Sequence, residues 1–172
     1  MRNLNQFAEM TSGVVYIHAS PVALCPHVEW ALQSTLNARA SLVWSEQEAE
    51  PGRMRATVDW AGPVGTGARL TNALREWSGL IFEVTENPSE GVDGERFCQM
   101  PGLGLWRGST GANGDVIVGE TQLRALMDAQ PDSAGLAGEL DAVLGTAWDA
   151  ALENYRMGGF GAEVTWLRQR VG

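Results

Sequence analysis

Five side chains capable of catalysis or metal binding lie close together early in the sequence: His18, Ser20, Cys25, His27 and Glu29. A cysteine beside a histidine can act as a nucleophile, and two histidines with a cysteine and a carboxylate can bind a metal ion. The spacing favours neither role, because Cys25 and His27 are two residues apart and lack the i, i+4 repeat that places ligands on one helix face. The pattern indicates instead that Cys25 is buried, that Ser20 caps a helix and that no metal is bound.

His18 is the member of this group that packing explains least, since it ends a strand where a polar side chain has little structural purpose. Strand ends beside helix N-termini are common positions for ligands, because unpaired backbone N–H groups point there. We therefore retain His18, with Ser20 beside it, as a candidate ligand-binding residue. Whether His18, Cys25 and His27 form one functional site is left open by the sequence.

The glycine-rich segment 62–69 is a second candidate, because it follows a strand and opens a helix. Gly65 and Gly67 would let the backbone approach an anion held on the helix N-terminus, and Arg69 would add a positive charge. The G-x-x-G-x-G spacing matches neither the Walker nor the Rossmann motif. The alternative is a tight strand-to-helix connection with Thr66 as its N-cap residue and at least one glycine at positive φ. Gly65, Thr66, Gly67 and Arg69 complete the candidate ligand-binding set, and no catalytic residue is assigned.

Composition excludes several classes of protein. The chain has 172 residues, with 12 basic and 21 acidic side chains and a formal net charge of −9, which disfavours nucleic acid and anionic membranes as partners. All the basic residues are arginine, so a P-loop lysine and a Schiff-base lysine are excluded. Two cysteines, no cofactor motif and no signal-peptide pattern predict a cytoplasmic protein that needs no cofactor.

The elements that position these residues are predicted from hydrophobic periodicity. The first part of the chain is predicted to run strand, helix, strand, strand, helix, strand, with strands at residues 13–19, 41–47, 53–60 and 80–85. Pro26 is expected to mark the start of the first helix, leaving residues 21–25 as a separate turn. This order over residues 13–87 predicts an α+β fold with a ferredoxin-like βαββαβ half.

The second part, residues 88–172, is predicted to be a β-meander followed by helices. Strands are expected at residues 95–100, 104–109 and 115–118, around turns at Pro101-Gly102 and Asn113-Gly114. A helix is expected over residues 120–129, then one long helix over 135–155 that docks through Trp148, and a weak strand over 163–170. We expect both halves to pack as a single domain, 1–172.

Several separated strings carry a resemblance to a known family: GVVYIHASP (13–21), CPHVEWAL (25–32), WAGPVGTGARL (60–70), FEVTE (82–86), GLWRG (104–108), NGDVIVGE (113–120) and LGTAWDAALE (144–153). The chain resembles a domain-of-unknown-function family of small actinobacterial cytosolic proteins, over nearly its whole length. The resemblance brings no assigned catalytic residues. It implies a partner in acyl metabolism, because relatives are encoded near type II fatty-acid synthesis genes.

These observations favour a non-catalytic binding or regulatory module, whose partner is a protein or a small anionic ligand. The reason is that the sequence shows no nucleophile–base–acid set, no metal-ligand spacing and no cofactor fingerprint. The alternative is a small enzyme, or a protein that binds an acyl or coenzyme A type of ligand, with a pocket near His18 and the turn at residues 65–69. A concave pocket that gathers His18, Arg69 and backbone N–H groups would favour the alternative.

Overall fold

The computed structural model describes residues 9–39, 41–130, 132–159 and 164–168. Within them the chain forms eight strands and five helices. The strands are β1 (Met10–Pro21), β2 (Ser45–Glu46), β3 (Arg53–Pro63), β4 (Ile81–Glu86), β5 (Gly94–Met100), β6 (Gly104–Thr110), β7 (Val116–Ile117) and β8 (Val164–Arg168). The helices are α1 (Cys25–Leu36), α2 (Thr66–Leu74), α3 (Glu120–Ala129), α4 (Ser133–Leu144) and α5 (Thr146–Met157). No helix in these residues is long and apolar enough to cross a membrane.

The eight strands form one sheet. Seven of them lie in the order β2-β3-β1-β4-β5-β6-β7, and each neighbouring pair in this order is antiparallel. β8 lies outside this path and pairs in parallel with β3. The outer edge of β3 is therefore shared. β2 pairs with Met54 and Arg55, and β8 pairs with the five residues from Thr57 to Ala61.

One face of the sheet is covered by α1 and α2, which form the main hydrophobic core. Side chains alternate along a strand, so every second residue of β1, β3 and β4 points towards these helices. The periodicity that predicts β3 places Met54, Ala56, Val58 and Trp60 on one face; the last three are buried and Met54 is half-buried. The core also contains Val15, Ile17, Val28, Leu32, Leu36, Leu42, Leu70, Leu74, Leu80, Phe82, Val84, Phe97 and Leu167.

The opposite face of the sheet carries α5 and a smaller core. Leu152 of α5 is fully buried in it, and Trp148, Ala151 and Tyr155 pack at its margin. The strands contribute Ala19, Ile81, Cys98, Met100 and Trp106 to the same cluster. α5 covers only part of this face, and the uncovered part is where polar side chains collect.

The first helix begins where the proline indicated. A 3-10 turn at Val22–Leu24 precedes α1, which starts at Cys25 with Pro26 in its first turn. A proline is tolerated there because the N–H groups of a first turn have no partner within the helix. The expected cap role of Ser20 is wrong, because Ser20 and Pro21 are the last residues of β1.

The long helix expected over residues 135–155 is two helices. Gly145 lies between α4 and α5 with φ of 73°, a left-handed conformation that ends one helix and starts the next. The backbone of Gly145 packs against the ring of Trp106, where an added Cβ would lie 2.7 Å from the nearest ring atom. The strand expected over 41–47 is also shorter, because only Ser45 and Glu46 pair with β3. The expected strand over 163–170 is observed as β8, and its outermost positions lie outside the described residues.

Candidate functional site

A cleft of about 440 Å³ opens on the sheet face that α5 only partly covers. Its floor is formed by alternate residues of neighbouring strands: Tyr16 and His18 of β1, Arg55 and Thr57 of β3, and Glu83 of β4. These side chains share a face because Tyr16 pairs directly with Thr57 on one side and with Glu83 on the other. Antiparallel pairing therefore gathers residues that are widely separated in the sequence.

A β-bulge in the central strand positions His18. Ile17 pairs with Ala56, whereas Ser20 pairs with Met54, so His18 and Ala19 together face one residue of β3. A bulge bends the strand and redirects the side chain at that point. The imidazole of His18 lies parallel to the ring of Tyr16, with 5.8 Å between the ring centroids.

Glu83 lies at the centre of a hydrogen-bonded cluster. Nε2 of His18 lies 2.6 Å from Oε2 of Glu83, and both side chains are only 7% exposed. Arg156 of α5 donates from Nε to Oε2 at 2.9 Å and from Nη2 to Oε1 at 2.5 Å. The thiol of Cys98 donates to Oε1 at 3.4 Å. Burial alone would raise the pKa of Glu83, but the hydrogen bonds from His18 and Arg156 and the positive charge of Arg156 outweigh it and lower this pKa to about 2.

Two of the three arginines that line the cleft are paired with carboxylates. Besides Glu83, Arg156 binds Oδ1 of Asp149 at 2.8 Å. Arg96 donates to both carboxylate oxygens of Asp149 at 3.2 Å, and its guanidinium lies 5.0 Å from the ring centroid of Trp106. Arg96 and Arg156 are thus balanced by Glu83 and Asp149.

Arg55 is the third arginine, and it differs from the other two. Its side chain is half-buried and forms no hydrogen bond or ion pair with any described residue. Its Nε, like that of Arg96, is fully buried without a partner among the described residues. The hydroxyl groups of Tyr16 and Thr57 likewise have no bonding partner in the described part of the chain. Among the described residues, the cleft therefore presents one cation and two hydroxyl groups without a partner.

The other chemistry-bearing residues of the early sequence lie away from this cleft. Ser20 is buried, and its hydroxyl donates to the carbonyl of Pro21 at 3.0 Å. The buried thiol of Cys25 lies 3.9 Å from Oγ of Ser20. His27 is exposed, with its ring 6.4 Å from that of Trp77. The structure thus separates His18 from Cys25 and His27.

The glycine-rich turn before α2 holds an anion, and that anion belongs to the protein itself. Gly65 has φ of 92°, as expected for one of the two glycines. Its N–H donates to Oε1 of Glu86 at 2.8 Å, and the N–H of Gly67 donates to Oε2 at 2.7 Å. The buried carboxylate of Glu86 therefore occupies the N-terminus of α2.

Thr66 and Arg69 have other partners. Thr66 is the first residue of α2 and not its N-cap, and its hydroxyl donates to the carbonyl of Pro63 at 2.6 Å. Gly65 is the N-cap residue. Arg69 is exposed and donates to the carbonyl of Thr35 at the end of α1, at 2.5 Å. Neither residue lines the cleft around His18.

The comparisons with known proteins give one result. The family profile described as "Protein of unknown function (DUF3145)" matches residues 14–169. The chain belongs to the DUF3145 family. No curated protein and no solved structure matches it. Every residue of the cleft, from Tyr16 to Gly159, lies inside the span that defines this DUF3145 member.

Sequence reasoning found one member of the cleft, His18, and missed Arg55, Glu83 and Arg156. The three missed residues lie on two strands and a helix, so no local motif contains them. A signal was present, because Arg55 and Glu83 alternate with the apolar residues of their strands. Charged residues on the second face of several neighbouring strands indicate a polar site on that face.

Proposed function

We propose that this DUF3145 protein binds a small ligand bearing a carboxylate or phosphate group in the cleft beside α5. The observation that carries the proposal is Arg55, a half-buried guanidinium that lines the cleft and has no partner among the described residues. Desolvating a cation without a compensating anion is costly, so an unpaired arginine in a cleft favours an anionic ligand. The planar guanidinium matches the geometry of carboxylate and phosphate oxygens.

The charges around the cleft support this assignment. Arg55, Arg96 and Arg156 contribute three positive charges, and Glu83, Asp149 and Asp59, whose charge acts on Tyr16, contribute three negative ones, which gives 3 − 3 = 0. The whole chain carries −9. A cleft of balanced charge on a strongly acidic protein repels anions less than the rest of the surface does.

The size and polar lining of the cleft support a small molecule over a macromolecule. Its volume of about 440 Å³ is within the range typical of small-molecule sites. The free hydroxyl groups of Tyr16 and Thr57 flank Arg55 and can bind further oxygen atoms of the ligand. Arg96 and Arg156 are held by Asp149 and Glu83, so the wall of the cleft is already ordered before a ligand binds.

Titration calorimetry with acetate, benzoate, inorganic phosphate and coenzyme A tests the proposal. Coenzyme A is included because the family resemblance implies a partner in acyl metabolism. We expect at least one of these anions to bind the wild type, and Arg55→Gln to weaken it about tenfold or more. Arg75→Gln is the matched control, because Arg75 is an exposed arginine at the end of α2, remote from the cleft. An Arg55→Gln variant that binds as well as the control, or a wild type that binds none of the four, would contradict the proposal.

We also propose that residues 10–86 form a ferredoxin-like unit. The strand order β2-β3-β1-β4, with α1 and α2 on one face, supports this class. The packing of α5 on β1 and β5 supports a single domain that includes the second half of the chain.

A cytoplasmic location is supported by Cys25 and Cys98, which are buried and unpaired.

A further inference from the structure

We propose that the cleft hydrolyses an ester that carries a carboxylate, with His18 as the general base that activates water. The inference rests on the proposed function, because Arg55 is the residue that would hold the carboxylate of the substrate. It goes beyond binding because it assigns a chemical step to His18. Three features of the described structure support it. They are the hydrogen bonding of His18, the hydrogen bonds that occupy the nearby thiol and serine hydroxyl groups, and the hydroxyl groups of Tyr16 and Thr57 in the cleft.

The hydrogen bond between His18 and Glu83 places a proton on Nε2 and leaves Nδ1 as the ring atom that can act as a base. Glu83 is ionised at neutral pH, since its pKa is lowered to about 2, and so it accepts a hydrogen bond from Nε2–H of His18 at 2.6 Å. A neutral histidine that donates through Nε2 carries an unprotonated Nδ1. No described residue forms a hydrogen bond with that Nδ1. His18 is thus a base whose partner carboxylate can stabilise the imidazolium formed when it takes a proton.

The carboxylate that orients His18 is itself fixed. Arg156 donates two hydrogen bonds to Glu83, and Cys98 donates a third. Arg156 is fixed in turn by Asp149. A base held by such a network keeps its orientation without ligand, which is the arrangement that general-base catalysis requires.

The nucleophile is water, because the nearby thiol and hydroxyl groups are not available for attack. Burial and the neighbouring negative charge of Glu83 raise the pKa of the Cys98 thiol, whose hydrogen bond is also directed at Glu83. Ser20 donates to a backbone carbonyl. Burial raises the pKa of Tyr16, which therefore keeps its proton and serves as a hydrogen-bond donor, as does Thr57. These two hydroxyl groups are suited to the carbonyl oxygen of an ester, which gains negative charge as water adds.

The reaction consumes one water and needs no other reagent. The water oxygen forms a bond to the ester carbonyl carbon while Nδ1 of His18 accepts a proton from that water. The bond from the carbonyl carbon to the leaving oxygen then breaks, and the leaving oxygen takes the proton back from Nδ1. The products are a carboxylic acid and an alcohol, and His18 returns to its neutral form.

The test uses two matched chromogenic esters. Mono-4-nitrophenyl terephthalate carries a carboxylate that cannot reach its own ester group, and 4-nitrophenyl benzoate lacks that carboxylate. We expect the wild type to hydrolyse the terephthalate ester with saturation kinetics. His18→Gln should lower kcat about 100-fold or more with KM changed less than roughly threefold, and added imidazole should restore part of the rate. His27→Gln is the control, because His27 is exposed and lies outside the cleft.

The Arg55→Gln variant separates this inference from the proposed function. It should raise KM for the terephthalate ester about tenfold and leave hydrolysis of the benzoate ester unchanged. Binding of terephthalate that depends on Arg55, without hydrolysis that depends on His18, would overturn the catalytic inference and leave the binding function standing. Absence of both the hydrolysis and the binding of terephthalate would overturn the catalytic inference, and failure of the four anions to bind as well would overturn the proposed function. If His18→Gln lowers the thermal midpoint, imidazole rescue decides the role, because added imidazole restores a missing base but not a damaged fold.

Discussion

Replacing Glu83 by glutamine removes the charge at the centre of the cleft while nearly preserving the shape of the side chain. The pKa of Glu83 falls from an ordinary 4.5 to about 2. This lowering corresponds to about 3 kcal/mol of stability at neutral pH. The loss of one partner from a buried ion pair is commonly worth about 3–5 kcal/mol. We expect about 3 kcal/mol, since Arg156 is 30% exposed and keeps Asp149 as a partner.

The effect should depend on pH in a defined direction. The pKa of Glu83 is lower in the folded chain than in the unfolded chain. Its stabilising contribution is therefore complete above about pH 4.5 and is lost as the pH falls towards 2. The wild type and Glu83→Gln should differ by about 3 kcal/mol at pH 7 and converge between pH 4.5 and 2.

Urea denaturation followed by tryptophan fluorescence, at several pH values from 7 to 2.5, measures this difference. Glu120→Gln provides the matched control, because Glu120 pairs with Arg124 on the surface and its side chain is 77% exposed. The control should lose less than about 0.5 kcal/mol. Our reasoning would be refuted if Glu83→Gln cost less than about 1 kcal/mol at pH 7, or if the difference persisted unchanged at low pH.

Three further outcomes follow from the fold. Gly65→Ala should lower the free energy of unfolding by about 1 kcal/mol or more, because φ of Gly65 is 92°. Gly138→Ala, in the exposed interior of α4, should raise it by about 0.5–1 kcal/mol. Urea midpoints equal to that of the wild type would contradict both predictions. Trp148→Ala should cost about 3 kcal/mol, because the ring packs at the second core and donates to a carbonyl of β6 at 2.9 Å, and a loss below about 1 kcal/mol would show that α5 is not docked. Cys25 and Cys98 should resist thiol reagents in the folded protein, because burial raises the pKa of both thiols. Thiol titration after denaturation without reductant should then detect two thiols. A count of zero would contradict this prediction.

Local patterns were sufficient to predict most of the elements. The alternation of Met54, Ala56, Val58 and Trp60 predicted β3, and Pro26 predicted where α1 begins. Both signals arise from neighbouring residues. The break between α4 and α5 was missed because the apolar stripe of the two helices continues past Gly145 at helical spacing. A single glycine within such a stripe indicates a break only when tertiary contacts, here with Trp106, favour its left-handed conformation.

The site was harder to predict than the fold. His18 was identified from its position at the end of a strand, but its partner Glu83 is 65 positions away. Arg156 lies one residue beyond the helix expected over 135–155. Pairing registers decide which charged residues meet, and the bulge at His18 shifts the register within β1. The anion expected at the turn of Gly65 is supplied from within the chain by Glu86, a pairing that only the return of β4 to that turn creates.

The parallel pairing of β8 with β3 has a consequence for the protein during its synthesis. Val164 pairs with Thr57, and 164 − 57 = 107 positions separate them. At about 5–20 residues per second, the ribosome needs roughly 5–20 s to make that stretch. For this interval one side of residues 57–61 has backbone groups that can pair with another nascent chain. Asp59 is the single charged residue in that segment, so it is the side chain that opposes aggregation until β8 has been made.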